Sequence, residues 1–85
     1  AIDPTFPYSY YNRANIRCEQ KDFTGALEDY TKAIQLNPDF AEAYFNRALV
    51  YTYVGQNDKA ITDLSKAGEL GMVPAYNVIK LISEN

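Results

Sequence analysis

The chain has 85 residues, 47% of them apolar, and a net charge of -3. This length bounds it to one small domain with a modest core, and the acidic balance argues against a nucleic-acid backbone as partner, since phosphate contacts need clustered Lys and Arg. Zero histidines remove the commonest general base and metal ligand, and a single cysteine forbids an intrachain disulfide.

The first periodic segment carries Tyr10, Ala14 and Ile16 or Arg17 at helical spacing. The polar run Gln20-Lys21-Asp22 ends it. A second helix is predicted from about Thr24 to Leu36, with Ala26, Leu27, Tyr30, Ala33 and Ile34 on one stripe. Asn37-Pro38 stops it, because proline cannot continue a helix and pushes the residue before it out of helical geometry. A third helix is predicted to start near Asp39, where Asp39 and Glu42 form a capping-box-like pair. It runs to about Val54, and Gly55 supplies a left-handed cap. Asn57 or Asp58 caps a fourth helix that ends at Gly71. Pro74 suits a first turn, so a fifth helix runs toward Ser83. Connections are short, and the whole reads as all-α. No apolar run approaches the ~18–20 residues of a membrane span, so insertion is not expected. Cys18 reads as a small buried or half-buried hydrophobe, with a reactive thiol as the alternative.

The order of elements hides a repetition. Slid along itself by one fixed offset, the chain places Tyr10 on Tyr44, Asn12 on Asn46, Arg13 on Arg47 and Ala14 on Ala48. Further on, Ala26 falls on Ala60, Asp29 on Asp63, Lys32 on Lys66, Ala33 on Ala67 and Leu36 on Leu70. Agreement at both ends of the same offset marks an internal repeat of a two-helix unit, with a period of about 34 residues. Arg13 and Arg47 each recur with an acidic residue one helix later, Asp29 and Asp63. Two equivalent bidentate Arg–carboxylate bridges between paired helices are therefore expected.

A helix pair of about 34 residues resembles the tetratricopeptide repeat, whose pattern runs W-x2-L-G-x2-Y, then A-x3-F, then P. The first unit offers Tyr10-x2-Arg13-Ala14-x2-Arg17, Ala26-x3-Tyr30 and Pro38. The second offers Tyr44-x2-Arg47-Ala48-x2-Tyr51, Ala60-x3-Leu64 and Met72. Arg13, Arg17 and Arg47 replace apolar residues of the pattern, and Met72 replaces its proline. The resemblance implies an antiparallel helix-hairpin solenoid, with units at 7–40 and 41–73 and a C-terminal capping helix at 74–85. Ala14, Ala26, Ala48 and Ala60 then let paired helices approach closely. Residues 1–6 look like the tail of a preceding repeat, so the chain reads as the C-terminal piece of a longer array. Arrays need roughly three or more repeats to cover their faces. The N-terminal face should therefore be open, and self-association through it is expected.

The same resemblance implies a function. Arrays of this kind bind extended peptides or partner helices on a concave face lined by first helices. Mapped onto this chain, that face presents Tyr8, Tyr11, Asn12, Asn15 and Glu19, then Glu42, Phe45, Asn46, Leu49 and Tyr53. The fifth helix adds Tyr76, Ile79 and Lys80. Aromatics give rigid contact area, and asparagine amides pair with peptide backbone. The alternative is an architectural spacer or cap with no ligand of its own. One subfamily grips a partner's C-terminal carboxylate with a basic and asparagine clamp. Asn15 and Asn46 sit where two of its asparagines would be and Lys80 near a cation position, but Tyr11 and Tyr76 stand where lysines are expected, so a complete clamp is absent. No P-loop, dinucleotide fingerprint or nucleophile elbow is present. No carboxylate pair is set for acid–base work. An enzyme is not expected, nor is a cofactor.

Overall fold

Helix α1 (Pro7–Glu19) begins at a proline, whose missing N–H costs nothing in a first turn. It is followed by α2 (Phe23–Leu36), α3 (Ala41–Tyr53), α4 (Asn57–Glu69) and α5 (Pro74–Ser83). The structure is a computed structural model and describes residues 3–84. Ala1 and Ile2 of the proposed N-terminal tail, and Asn85, lie outside the described residues.

Turn chemistry repeats with the sequence. Asp3 and Asn37 are equivalent positions of the repeat, and each side chain accepts a bond from the backbone N–H two residues on: Thr5 at 2.8 Å and Asp39 at 3.1 Å. These Asx turns aim the chain into α1 and α3. The expected Asp39–Glu42 capping box does not form: the N-cap of α3 is Phe40, with no side-chain cap. Asn57 and Asp58 do not cap α4 either; its N-cap is Gln56, without a side-chain bond. Among the described residues, only α2 has a side-chain cap: Asp22 Oδ1 accepts from Gly25 N–H at 3.0 Å.

Helices α1 and α3 end alike. Asp22 N–H bonds Arg17 O at 2.8 Å and Lys21 N–H bonds Cys18 O at 3.0 Å, a pair matched by Gln56 to Tyr51 and Gly55 to Thr52. This closure needs a left-handed residue, supplied by Lys21 (φ 62°) and Gly55 (φ 85°). Lysine is strained there by about 1 kcal/mol. Lys21→Gly is therefore expected to raise the urea midpoint of unfolding, and Gly55→Lys to lower it. Gly71 (φ 107°) closes α4 the same way, whereas α2 ends on extended Asn37 before Pro38. That difference explains Met72: with Gly71 stopping the helix, no proline is needed.

Each helix packs mainly on its neighbours in sequence: α1 on α2, α2 on α3, α3 on α4, and α4 on α5. The result is an elongated stack of 41 × 26 × 15 Å. Alanines occupy the contacts. Ala14, Ala26, Ala33, Ala43, Ala48, Ala60, Ala67 and Ala75 are fully buried, and their small volume lets backbones approach. Tyr30 and Leu64, which fall on each other in the repeat, are the largest fully buried side chains.

The two hairpins differ in what covers them. Phe40 is 4% exposed but its counterpart Phe6 is 60%; Val50 is 6% but Ile16 is 52%. The cause is α2, which lies against α3 from the preceding hairpin; among the described residues no helix takes that place against α1.

Candidate functional site

The surface between α1 and α3 holds a polar network. The Tyr30 hydroxyl, reaching up from α2, donates to Asn15 Oδ1. Asn46 Nδ2 donates to Tyr11 Oη at 3.1 Å and to Asn15 Oδ1 at 3.2 Å. Cys18 Sγ lies 3.8 Å from the Tyr30 oxygen. The second hairpin replaces both members of the Asn15–Tyr30 pair with leucine, Leu49 and Leu64.

Burial pushes the Tyr30 hydroxyl above its ordinary value of 10.0, and the Cys18 contact adds to the effect. The folded state thus keeps a proton that the unfolded chain releases near pH 10. Stability from this difference is complete below pH 10 and is lost as pH rises beyond it. Tyr30→Phe is expected to cost about 1–2 kcal/mol at pH 7, because Asn15 loses a partner. It is also expected to flatten the decline above pH 10, read from urea midpoints across pH.

Aromatics flank the network. Tyr8 and Tyr11 stack on Phe40 with centroids 5.0 and 4.9 Å away, and meet each other edge-on at 5.9 Å. Asn12, Glu19 and Glu42 are exposed, and Phe45 is half-buried. Tyr76 lies over Gly68, where any Cβ would come within 2.8 Å of the ring, so this glycine makes room for α5 to dock. Ile79 and Phe45 each pack against the second core cluster, and Lys80 is exposed.

Below the network is a cavity of 380 Å³ lined by Cys18, Lys21, Phe23, Tyr30, Asn46, Leu49, Val50 and Tyr53. Sequence reasoning named Asn46, Leu49 and Tyr53 but missed the others. Phe23 opens α2 and Lys21 sits in a turn, so first-helix periodicity could not reveal them. The available signal was the lysine standing where the offset puts a glycine.

The arginines lie elsewhere, between paired helices. Arg13 donates to Asp29 through Nε (2.7 Å) and Nη2 (2.8 Å), and Arg47 to Asp63 through the same atoms at 2.7 Å each. Their surroundings differ. Arg47 Nη1 also donates to Thr31 Oγ1 of α2 at 3.0 Å, and Tyr44 and Tyr51 lie 5.8 and 5.7 Å from its guanidinium carbon. Arg13 has Tyr10 at 5.8 Å, and Arg17 shares Asp29 at 3.6 Å. The Arg13 guanidinium is held protonated chiefly by its hydrogen bonds to Asp29. For Arg47, burial is the largest influence and pulls the other way, but the Asp63 hydrogen bonds and charge together with Tyr51 and Tyr44 still hold the guanidinium protonated.

Among the described residues, no group of three His, Cys, Asp or Glu is placed to hold a metal ion, and no helix is long and apolar enough to cross a membrane.

Antiparallel hairpins recurring at one fixed offset, each built on buried alanines, define a helical-repeat protein. The chain belongs to the tetratricopeptide repeat family. A family model described as TPR repeat matches residues 14–55, and a second, Tetratricopeptide repeat, matches 41–70. The chain is 42% identical over 50 residues to the small glutamine-rich tetratricopeptide repeat-containing protein 2 of Mycosarcoma maydis, covering 59% of this chain and 14% of that protein. It therefore spans only a small part of the curated relative it matches. In three dimensions it is similar to a crystal structure of MamA, with a TM-score of 0.93 and 31% identity, covering 96% of this chain and 49% of that one. It is also similar to the first TPR of Spaghetti (RPAP3) bound to HSP90 peptide SRMEEVD, with a TM-score of 0.89 and 28% identity, covering 96% and 67%.

Proposed function

We propose that the chain is a non-enzymatic protein-interaction module that takes an extended peptide or partner helix on the face between α1 and α3. One observation carries this reading: a structural neighbour with a TM-score of 0.89 holds a peptide. Exposed Tyr8, Asn12, Leu49 and Tyr53 on this chain support it, since rigid aromatics beside free amides suit a peptide backbone. The units at 7–40 and 41–73, closed by a helix from 74, form the proposed frame. The test is to pan the 85-residue chain against displayed heptapeptides. Wild type is expected to enrich binders, and Asn12→Ala with Leu49→Gln to lose them.

A second reading, the architectural spacer, draws support from the amides of Asn15 and Asn46, which are engaged with tyrosine hydroxyls. Under it, panning enriches nothing. A further proposed contact is self-association through the open face of α1 around Phe6 and Ile16. Sedimentation at high concentration is expected to show a dimer that Ile16→Glu abolishes; a strict monomer would reject it.

A further inference from the structure

We propose that the cavity below the α1–α3 network is an anchor site for an extended peptide that carries one bulky apolar side chain beside an acidic residue. The apolar group seats against Phe23, Leu49 and Tyr53, and the carboxylate pairs with Lys21. The proposal rests on the peptide-binding reading above and narrows it to a ligand chemistry.

At 380 Å³ the cavity falls in the range of small-ligand sites, about 300–1,000 Å³. Its walls come from three helices. Phe23 of α2 and Tyr53 of α3 face each other with ring centroids 4.6 Å apart. Leu49 and Tyr53 are exposed although apolar. An incoming apolar side chain would remove that surface from water with little rearrangement, so little ordering cost is incurred on binding.

Charge supplies the second half. Lys21 is the one charged residue lining the cavity, and among the described residues no carboxylate lies within ion-pair distance of it. It holds a left-handed backbone, φ 62°, at a position where the second hairpin carries Gly55. The chain therefore places a cation at the cavity where the backbone alone favours glycine. The neighbouring amides are already engaged, Asn46 to Tyr11 and Asn15 by Tyr30. An unpaired cation over apolar walls suits an apolar side chain with an adjacent carboxylate better than a bare terminal carboxylate held by amides.

The chain has no tryptophan and one thiol, so Cys18 alkylation reports the cavity without interference. Heptapeptides enriched on the wild-type chain are expected to carry Trp, Phe, Leu or Met next to Asp or Glu. A synthetic peptide of that pattern, at about ten times its Kd, is expected to slow alkylation of Cys18 by iodoacetamide about tenfold. Leu49→Gln is expected to weaken binding about tenfold. Lys21→Asn tolerates the left-handed backbone, and is expected to weaken binding about two- to fivefold and erase the acidic preference. Both side chains are exposed, and circular dichroism verifies that the variants fold. Peptides that bind yet leave Cys18 alkylation and Leu49→Gln affinity unchanged overturn the cavity but leave the peptide-binding reading standing. Peptides that protect Cys18 equally in wild type and Lys21→Asn overturn the carboxylate half. A chain that enriches no peptide overturns both readings together.

Discussion

Arg47→Ala is expected to destabilise the chain by about 3–5 kcal/mol, while the matching change in the first hairpin, Arg13→Ala, costs about 1 kcal/mol. The local sequences are nearly the same, and the bidentate bonds have nearly the same lengths, 2.7 and 2.8 Å for Arg13 against 2.7 Å twice for Arg47. The difference lies in surroundings. The Arg47 side chain is 16% exposed, against 43% for Arg13. Removing Arg47 leaves the buried Asp63 carboxylate without its partner and strips Thr31 of its donor. Removing Arg13 leaves Asp29, though as buried as Asp63, with the Arg17 guanidinium still 3.6 Å away to balance its charge. Urea unfolding of the two variants at constant slope measures the contrast. Equal losses would show that cover by α2 does not set the strength of the second pair.

Leu64→Ala is expected to cost toward the upper end of about 2–5 kcal/mol. Leu64 is fully buried in a cluster whose other buried members are Ala48, Ala60, Ala67 and Ala75, with larger side chains such as Phe45, Met72 and Ile79 packed at its edge. The buried neighbours have already been reduced to methyl groups on backbones in close approach. The alanines cannot reach inward, so closing the space depends on the edge side chains alone, and the cost rises with whatever volume they leave unfilled. Leu64→Met, which keeps the volume, is expected to cost under about 1.5 kcal/mol. A domain of this size has about 4–13 kcal/mol in all. Leu64→Ala should therefore leave a measurable unfolded population by circular dichroism at moderate temperature, and a wild-type-like melt would show that the site collapses freely.

Part of this outcome was legible in the residues. Helix number, hairpin pairing and the alanine contacts follow from one offset, because a repeating pattern of small and large apolar side chains admits few ways to pack. Helix starts were less legible. Asp39 with Glu42, and Asn57 or Asp58, have capping chemistry, yet Asn37 orders the entry to α3 through its own Asx turn and α4 starts without a side-chain cap. Competing local hydrogen bonds of similar strength decide such positions, and composition does not rank them.

The candidate site divides in the same way. Asn46, Leu49 and Tyr53 emerge from the periodicity of α3, a property of one helix. Cys18, Lys21, Phe23 and Tyr30 join them only when the end of α1, its turn and α2 come together around one cavity.

The sequence by itself determined a stack of paired helices, since a regular recurrence of alanine and aromatic positions fixes which faces must meet. Tertiary structure alone decided that equal motifs are unequal in place. Because α2 packs across α3 from the preceding hairpin while no described helix takes that place on α1, the Arg47 side chain is more enclosed than that of Arg13, and Phe40 is covered where Phe6 is open. Burial is a property of neighbours, and neighbours are not written at the residue they cover.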